Sequence, residues 1–296
     1  VQWYKGLLAE LWHDLQMADE DHFQQWWQAQ GDISLPQKFG RFIGDYLLAN
    51  YPHEHFYIFL DEVDNVLGLP FSVDDFFAAI RYCYNRRAVD PNYHRITFAM
   101  FGVASPTNLL QDKQRTPFNI GQAITLGGFS LTEATPLAAG LRGVGLSSNH
   151  LADILNWTAG QPFLTQKICQ LLINEGNPPT ESAAQTAWIS WVVQTRLIEN
   201  WEANDEPEHL RTIRDRILHQ PHLTGRLLGF YQQVLTSQTV SFDGSQEQTE
   251  LLLSGLVVNC QGYLQVKNPI YHTVFNQSWV TQQLSVLRPY SDPFSN

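Results

Sequence analysis

At 296 residues, the chain is long enough for about two domains of ~150 residues, and its 44% hydrophobic content excludes a disordered polypeptide. Asp and Glu number 29 against 18 Lys and Arg, for a formal charge of -11. That balance argues against a protein whose main task is gripping a phosphate backbone, because such binding relies on basic side chains displacing counterions.

In chain order, Trp3, Tyr4, Leu7, Leu8, Leu11, Trp12 and Leu15 recur at helical spacing and predict a first helix with a wide apolar stripe. A second helix is predicted over 39–48, after Pro36. Residues 56–60 (FYIFL) form an unbroken apolar run, the pattern of a strand covered on both faces, and Asp61 and Glu62 follow it directly. The stretch 72–75 (SVDD) can cap a helix with apolar positions Phe76, Phe77, Ile80, Tyr82 and Tyr84. A second apolar strand is predicted over 96–101. Strand, helix and strand within about fifty residues make a βαβ crossover and so a parallel sheet, which a short strand at 123–126 is expected to extend.

From Ser130 the pattern turns helical, opening on a capping-box sequence, SLTE. Helices are predicted over 134–141, 151–157, 163–173 and 184–201, with a sharp break at 158–162 (TAGQP). The acidic stretch 202–209, with Pro207, reads as an exposed hinge between domains. Beyond it come helices at 223–235 and 246–253, a hairpin over 256–266, and a last helix from Pro269 through Trp279. Helices followed by a hairpin and a trailing helix give the element order of a winged helix. Neither internal repeats nor low-complexity tracts are visible.

Cys83, Cys169 and Cys260 are far apart, form no CxxC and read as buried thiols in a reducing compartment. No apolar run approaches the ~18 residues that span a bilayer. The chain opens Val-Gln-Trp-Tyr-Lys, with neither an initiating Met nor signal-peptide patterning, and reads as a cytoplasmic excerpt of something longer. His53 and His55 flank Glu54, but no zinc-like spacing elsewhere completes a site, which favours a solvated turn. Trp188, Trp191 and Trp201 fall on amphipathic helices and read as core, while Trp26-Trp27 leaves a docking surface open.

The sharpest chemical feature is the apolar strand ending in Asp61-Glu62. Ligands of parallel sheets sit outside the carboxyl ends of strands, and this is the form of a Walker B segment. There the Asp holds the water shell of Mg²⁺ and the Glu orients the water that attacks the γ-phosphate. A strand end capped by two solvated acids fits equally well. Ser105, Thr107 and Asn108, at the exit of the second strand, are candidate phosphate sensors and also ordinary turn residues. None of the five lysines (Lys5, Lys38, Lys113, Lys167, Lys267) follows a glycine, so GxxxxGK[ST] is absent from these 296 residues.

Residues 56–67 (FYIFLDEVDNVL), 76–87 (FFAAIRYCYNRR), 98–108 (FAMFGVASPTN), 115–121 (RTPFNIG) and 157–166 (WTAGQPFLTQ) resemble the AAA-like domain of bacterial STAND-class signalling ATPases. Residues 208–216 (EHLRTIRDR) and 254–279 resemble the winged-helix end of the same domain. The resemblance implies an α/β, partial P-loop NTPase core with a parallel sheet over 1–130, a helical lid over 131–205 and a winged-helix domain over 206–296. It implies a switch in which bound ATP or ADP, with Mg²⁺, sets the packing of these parts. Glu62 then matches the catalytic acid and Asp61 the Mg²⁺-shell acid. Gly160 and Pro162 match the lid's GxP motif near the adenine, Ser105 a sensor, and Arg115 a basic position beyond the sensor strand. Hydrolysis is implied only if a P-loop is supplied upstream. Such domains occur in large bacterial proteins, including those of photosynthetic bacteria, joined to repeat arrays or effector modules, with homo-oligomers forming on activation. The alternatives are a non-catalytic interaction or oligomerisation scaffold with a vestigial cleft, and a winged-helix nucleic-acid reader. Against the reader, the recognition-helix candidate at 245–253 carries Glu247 and Glu250 and no Lys or Arg.

Overall fold

The computed structural model describes residues 1–15, 20–69, 71–103, 109, 120–219, 221–237 and 240–287. The chain is mixed α/β and helix-rich, and divides into two compact units, Val1–Ala123 and Ile124–Asn296.

In the first unit, helix α1 (Gln2–Asp14) buries Tyr4, Leu8 and Trp12, one helical repeat apart, as their spacing predicts. Helix α2 (Glu20–Ala29), not anticipated from the sequence, turns Trp26 and Trp27 inward. Trp26 lies 5.5 Å from Phe42 and 6.5 Å from Trp12, ring centre to ring centre, so the Trp pair is core and not a docking surface. Helix α3 (Leu35–Arg41) begins at a Ser34–Gln37 capping box and runs on into a π-helical turn, Phe42–Leu48. Strand β1 (Phe56–Leu60), helix α4 (Asp74–Arg86) and strand β2 (Ile96–Met100) form the predicted crossover, with β1 and β2 parallel and Phe56 opposite Ile96. In α4, Ala79 and Cys83 take the inward positions expected of Tyr82 and Tyr84, which are exposed. The Asp74 amide donates to Ser72 Oγ at 3.2 Å, a turn ahead of the helix in place of the predicted cap.

Two expectations for this sheet fail. Phe56 and Ile58 are core, but Tyr57 and Phe59 are 65% and 66% exposed, so the described residues cover β1 on one face only. Alternation along a strand sends successive side chains to opposite faces, and among the described residues only one face has a layer packed on it. Residues 123–126 form no strand, and Ile124 and Leu126 are exposed. Three apolar residues hold strand geometry only when a neighbour completes the hydrogen-bond ladder, and among the described residues none does.

The loop between α3 and β1 is fastened by Arg95. Its guanidinium donates to Tyr51 O, to Glu54 O at 3.0 Å and to Leu48 O at 2.7 Å, satisfying carbonyls at a helix end. Arg95→Ala is expected to cost about 2–3 kcal/mol, read as a lower urea midpoint with unchanged slope.

The second unit has one continuous core, running from Ala134 to Val280. Ser130 and Glu133 make the predicted capping box ahead of α5 (Leu131–Ala134), and Pro136 splits the expected single helix into α5 and α6 (Ala138–Gly143). Next come α7 (His150–Thr158), α8 (Pro162–Glu175), α9 (Ser182–Val192), which continues as a π-helical turn (Val193–Ile198), and α10 (Trp201–Asn204). Trp191, expected in the core, is 46% exposed, with the Arg196 guanidinium over its ring. The 202–209 stretch is mostly exposed but anchored by Asp205, which is buried.

Helices α11 (Leu210–Leu218) and α12 (Pro221–Thr236), strand β3 (Val240–Ser241), α13 (Gln246–Leu253) and strands β4 (Val257–Cys260) and β5 (Tyr263–Val266) follow. The three strands form an antiparallel sheet in the order β3-β5-β4. The predicted β4–β5 turn uses Gln261 and Gly262, both at positive φ, as a tight hairpin requires. The expected last helix breaks into α14 (Pro269–Val274) and α15 (Gln277–Val286), because the Asn276 side chain accepts the Trp279 amide and starts a new helix. Burial pushes the Cys83 and Cys169 thiols up to about 12 and about 11, whereas Cys260, expected to be buried, is exposed. Among the described residues, no helix is long and apolar enough to cross a membrane.

Candidate functional site

Asp61 and Glu62 emerge, exposed, at the carboxyl end of β1, beside the end of its parallel neighbour β2. The two strand ends are laced together. The Phe101 amide donates to Leu60 O at 2.8 Å, and the Val63 amide to Phe101 O at 2.9 Å. Asp61 Oδ1 accepts the Glu62 amide at 2.8 Å, and Glu62 Oε2 accepts Asn65 Nδ2 at 2.9 Å. Glu62 stands in the left-handed region (φ 47°, ψ 42°), which costs a side-chain-bearing residue about 1–2 kcal/mol. Strain of this kind persists where the surroundings over-determine it, and it clusters at functional sites.

Asp64 supports this corner and was not singled out from the sequence. Its carboxylate is buried and accepts the Val103 amide at 3.1 Å, tying the loop after β1 to the exit of β2. A Cβ on Gly102 would lie 2.7 Å from Asp64 Oδ1, so this glycine makes room for the tie. The signal was present as a third acid two residues beyond Glu62. Ser105 and Arg115, with Thr107 and Asn108, lie outside the described residues.

Gly160 and Pro162 belong to the second unit. After α7, Ala159 (φ 47°) and Gly160 (φ 75°) reverse the chain, and Pro162 opens α8, where its missing N–H costs nothing. Gln161 caps the new helix, its Oε1 accepting the Leu164 amide at 2.6 Å. Beneath the loop, two fully buried hydroxyls form a directed chain. The Gly160 amide donates to Thr158 Oγ1 at 3.2 Å, Thr158 lies 2.9 Å from Thr165 Oγ1, and Thr165 donates to Gln161 O at 2.8 Å. Thr165 spends its proton on Gln161, so Thr158 is the donor between the two. Gly160 also meets Gly128 backbone to backbone, and the Phe129 amide donates to Gly160 O at 2.6 Å. The loop is therefore more than a plain helix break.

A buried polar cluster lies just ahead of α11. His209 Nε2 is 2.7 Å from Tyr271 Oη, and Asp205 Oδ2 accepts the His209 and Arg211 amides at 2.8 and 2.7 Å. Burial lowers the His209 pKa, Asp205 raises it and Lys267 lowers it further. Tyr271 also faces the ring, and burial raises its own pKa. The unfolded imidazole, with a pKa near 6.5, therefore takes up a proton before the folded one does. Its contribution to stability is present above pH ~6.5 and lost as the pH falls toward the folded value. The unfolding free energy is expected to drop between about pH 7 and pH 5, and to drop less in His209→Gln. Parallel profiles would contradict this.

A sequence profile described as an AAA-like domain matches residues 2–277. An uncharacterized WD repeat-containing protein of Synechocystis sp. is 45% identical over 293 residues, covering 98% of this chain and 25% of that protein. The chain thus spans about a quarter of the length of that curated relative. No solved structure matches it.

Proposed function

The chain belongs to the AAA-like domain family, and on that premise we propose that it is the regulatory, ATPase-like part of a STAND-type switch controlled by ATP and ADP. The observation that carries this reading is the pair Asp61-Glu62 at the carboxyl end of an in-register parallel strand pair, with Glu62 held in a strained conformation. Two exposed carboxylates suit a hard, mostly hydrated Mg²⁺ ion. Asp61 would hold its water shell and Glu62 would orient the attacking water. Bound Mg·ATP supplies the phosphoanhydride and the metal charge. The phosphate-binding lysine loop has to come from outside residues 1–296, which contain none.

Gly160 and Pro162 act as the lid's nucleotide-responsive loop, with Ser105 as sensor and Arg115 as the basic position beyond the sensor strand. Residues 1–130, 131–205 and 206–296 act as core, lid and winged helix. The order α11, α12, β3, α13, β4, β5, with the three strands in one antiparallel sheet, supports the last assignment. This winged helix does not serve to read DNA. Glu247 on α13 is paired with Arg226 at 3.0 Å, and an acidic helix repels phosphate. The WD repeats of the relative support fused repeat modules as the partners, with homo-oligomers on activation. The second reading is a scaffold with a vestigial cleft.

Nucleotide titration of the full-length protein separates the two. Mg²⁺-dependent binding of ATP or ADP, weakened tenfold or more by Asp61→Asn, supports the switch. Absence of binding contradicts it and leaves the scaffold.

A further inference from the structure

The cluster around His209 joins three elements far apart in sequence. Phe163, the residue after Pro162 in α8, stacks on the His209 ring with centroids 4.7 Å apart and planes 29° from parallel. The other side of the connection is the bond from His209 Nε2 to Tyr271 Oη on α14, where Tyr271 is 1% exposed. The backbone that carries His209 is itself fixed. Asp205, 4% exposed, takes the His209 and Arg211 amides, and Arg211 returns a bond to Asp205 O at 2.8 Å. A second tie reaches α8 one turn further on, where Lys167 Nζ donates to Glu206 O. One imidazole is thus clamped between the first turn of α8 and the middle of α14.

We propose that His209 is a latch, which makes the start of α8 and helix α14 move as one body and so carries a displacement of the Gly160–Pro162 loop to the C-terminal helices. The latch stands on the geometry of the second unit, while its use as a transmitter rests on the nucleotide-switch reading above. Two features suit the ring for this role. Imidazole presents an aromatic face to Phe163 and an in-plane nitrogen to Tyr271 at the same time, which neither an aliphatic nor an amide side chain does. Burial also disfavours the charged ring, so the bond is made by a neutral group that loses little on being dried. When the Tyr271 hydroxyl is removed, a buried nitrogen is left without its partner, and the cluster opens more often.

Hydrogen exchange on the full-length protein tests this in two steps. Without nucleotide, Tyr271→Phe keeps the ring and deletes the bond. It is expected to speed amide exchange about tenfold together in 163–175, 210–218 and 269–274, leaving 1–103 unchanged. Acceleration confined to 269–274, or none, overturns the latch. Phe163→Leu, which removes only the ring stack, gives the same reading from the other end if Tyr271→Phe fails to fold. With ADP exchanged for a non-hydrolysable ATP analogue, the wild type is expected to change at 158–163 and at 269–274, and Tyr271→Phe at 158–163 alone. A response at 269–274 that survives Tyr271→Phe overturns the transmitting role. If no segment of the wild type responds to nucleotide while the first step succeeds, the latch stands and the nucleotide reading fails.

Discussion

Replacing Gly160 with alanine is expected to cost the second unit about 3–4 kcal/mol, the largest stability loss from adding a single methyl group to this chain. Three terms act together. At φ 75° an alanine pays roughly 1–2 kcal/mol for the left-handed conformation. Its Cβ would lie 2.4 Å from Phe129 O and 2.7 Å from Phe129 N, and these are backbone atoms that cannot rotate away. The displacement also strains the 2.6 Å bond from the Phe129 amide to Gly160 O, worth about 1 kcal/mol. For a unit of this size the melting temperature should fall by about 10 °C. Gly128→Ala meets the same contact from the other side, 2.5 Å from Ala159 O, so the two losses should not add. Gly229→Ala is the control. It lies in α12 with open space around it, and alanine there should be neutral or stabilising by up to about 1 kcal/mol. Equal effects at 160 and 229 would show that the close approach of the two loops is not rigid.

The largest effect on activity is expected at Glu62. In the full-length protein, Glu62→Gln should lower the ATP hydrolysis rate by about 10²-fold or more, the usual contribution of a positioned acid–base group, with nucleotide affinity changed less than threefold. Fold and chemistry separate cleanly at this position. The side chain is exposed, and its structural role, accepting Asn65 Nδ2 at 2.9 Å, is within the reach of a glutamine oxygen. Stability should therefore move by less than about 0.5 kcal/mol. Unchanged hydrolysis in Glu62→Gln would reduce the two acids to a solvated strand cap.

The sequence announced features whose partners are close along the chain. The run FYIFL, the SLTE box, the Gly-Pro break at 158–162 and the Gln261-Gly262 turn each carry their signal within a few residues, and the structure realises them. Helix α2 was visible only as Phe23, Trp26 and Trp27 at helical spacing in a polar stretch, a short stripe easily discounted. What stayed hidden depends on distant partners. Nothing local in FYIFL says that Tyr57 and Phe59 stand exposed, and nothing in 123–126 says that, among the described residues, no neighbour pairs with it. The packing of Gly160 joins residues more than thirty apart, and the His209–Tyr271 bond spans 62. Of the candidate site, the acids at the strand end were legible because an apolar run stops abruptly at them. Asp64, the buried support, was not, because a carboxylate within an acidic loop looks solvated until the exit of β2 folds onto it.

The proposed function requires that ATP and ADP hold the full-length protein in different conformations. The most direct measurement is the distance distribution between two spin labels in the full-length protein, one on α4 and one on α9, with the exposed Cys260 replaced. With ADP and then a non-hydrolysable ATP analogue, both saturating, two distinct distributions are expected, and a single one in Asp61→Asn. Identical distributions with both nucleotides demonstrably bound would contradict it.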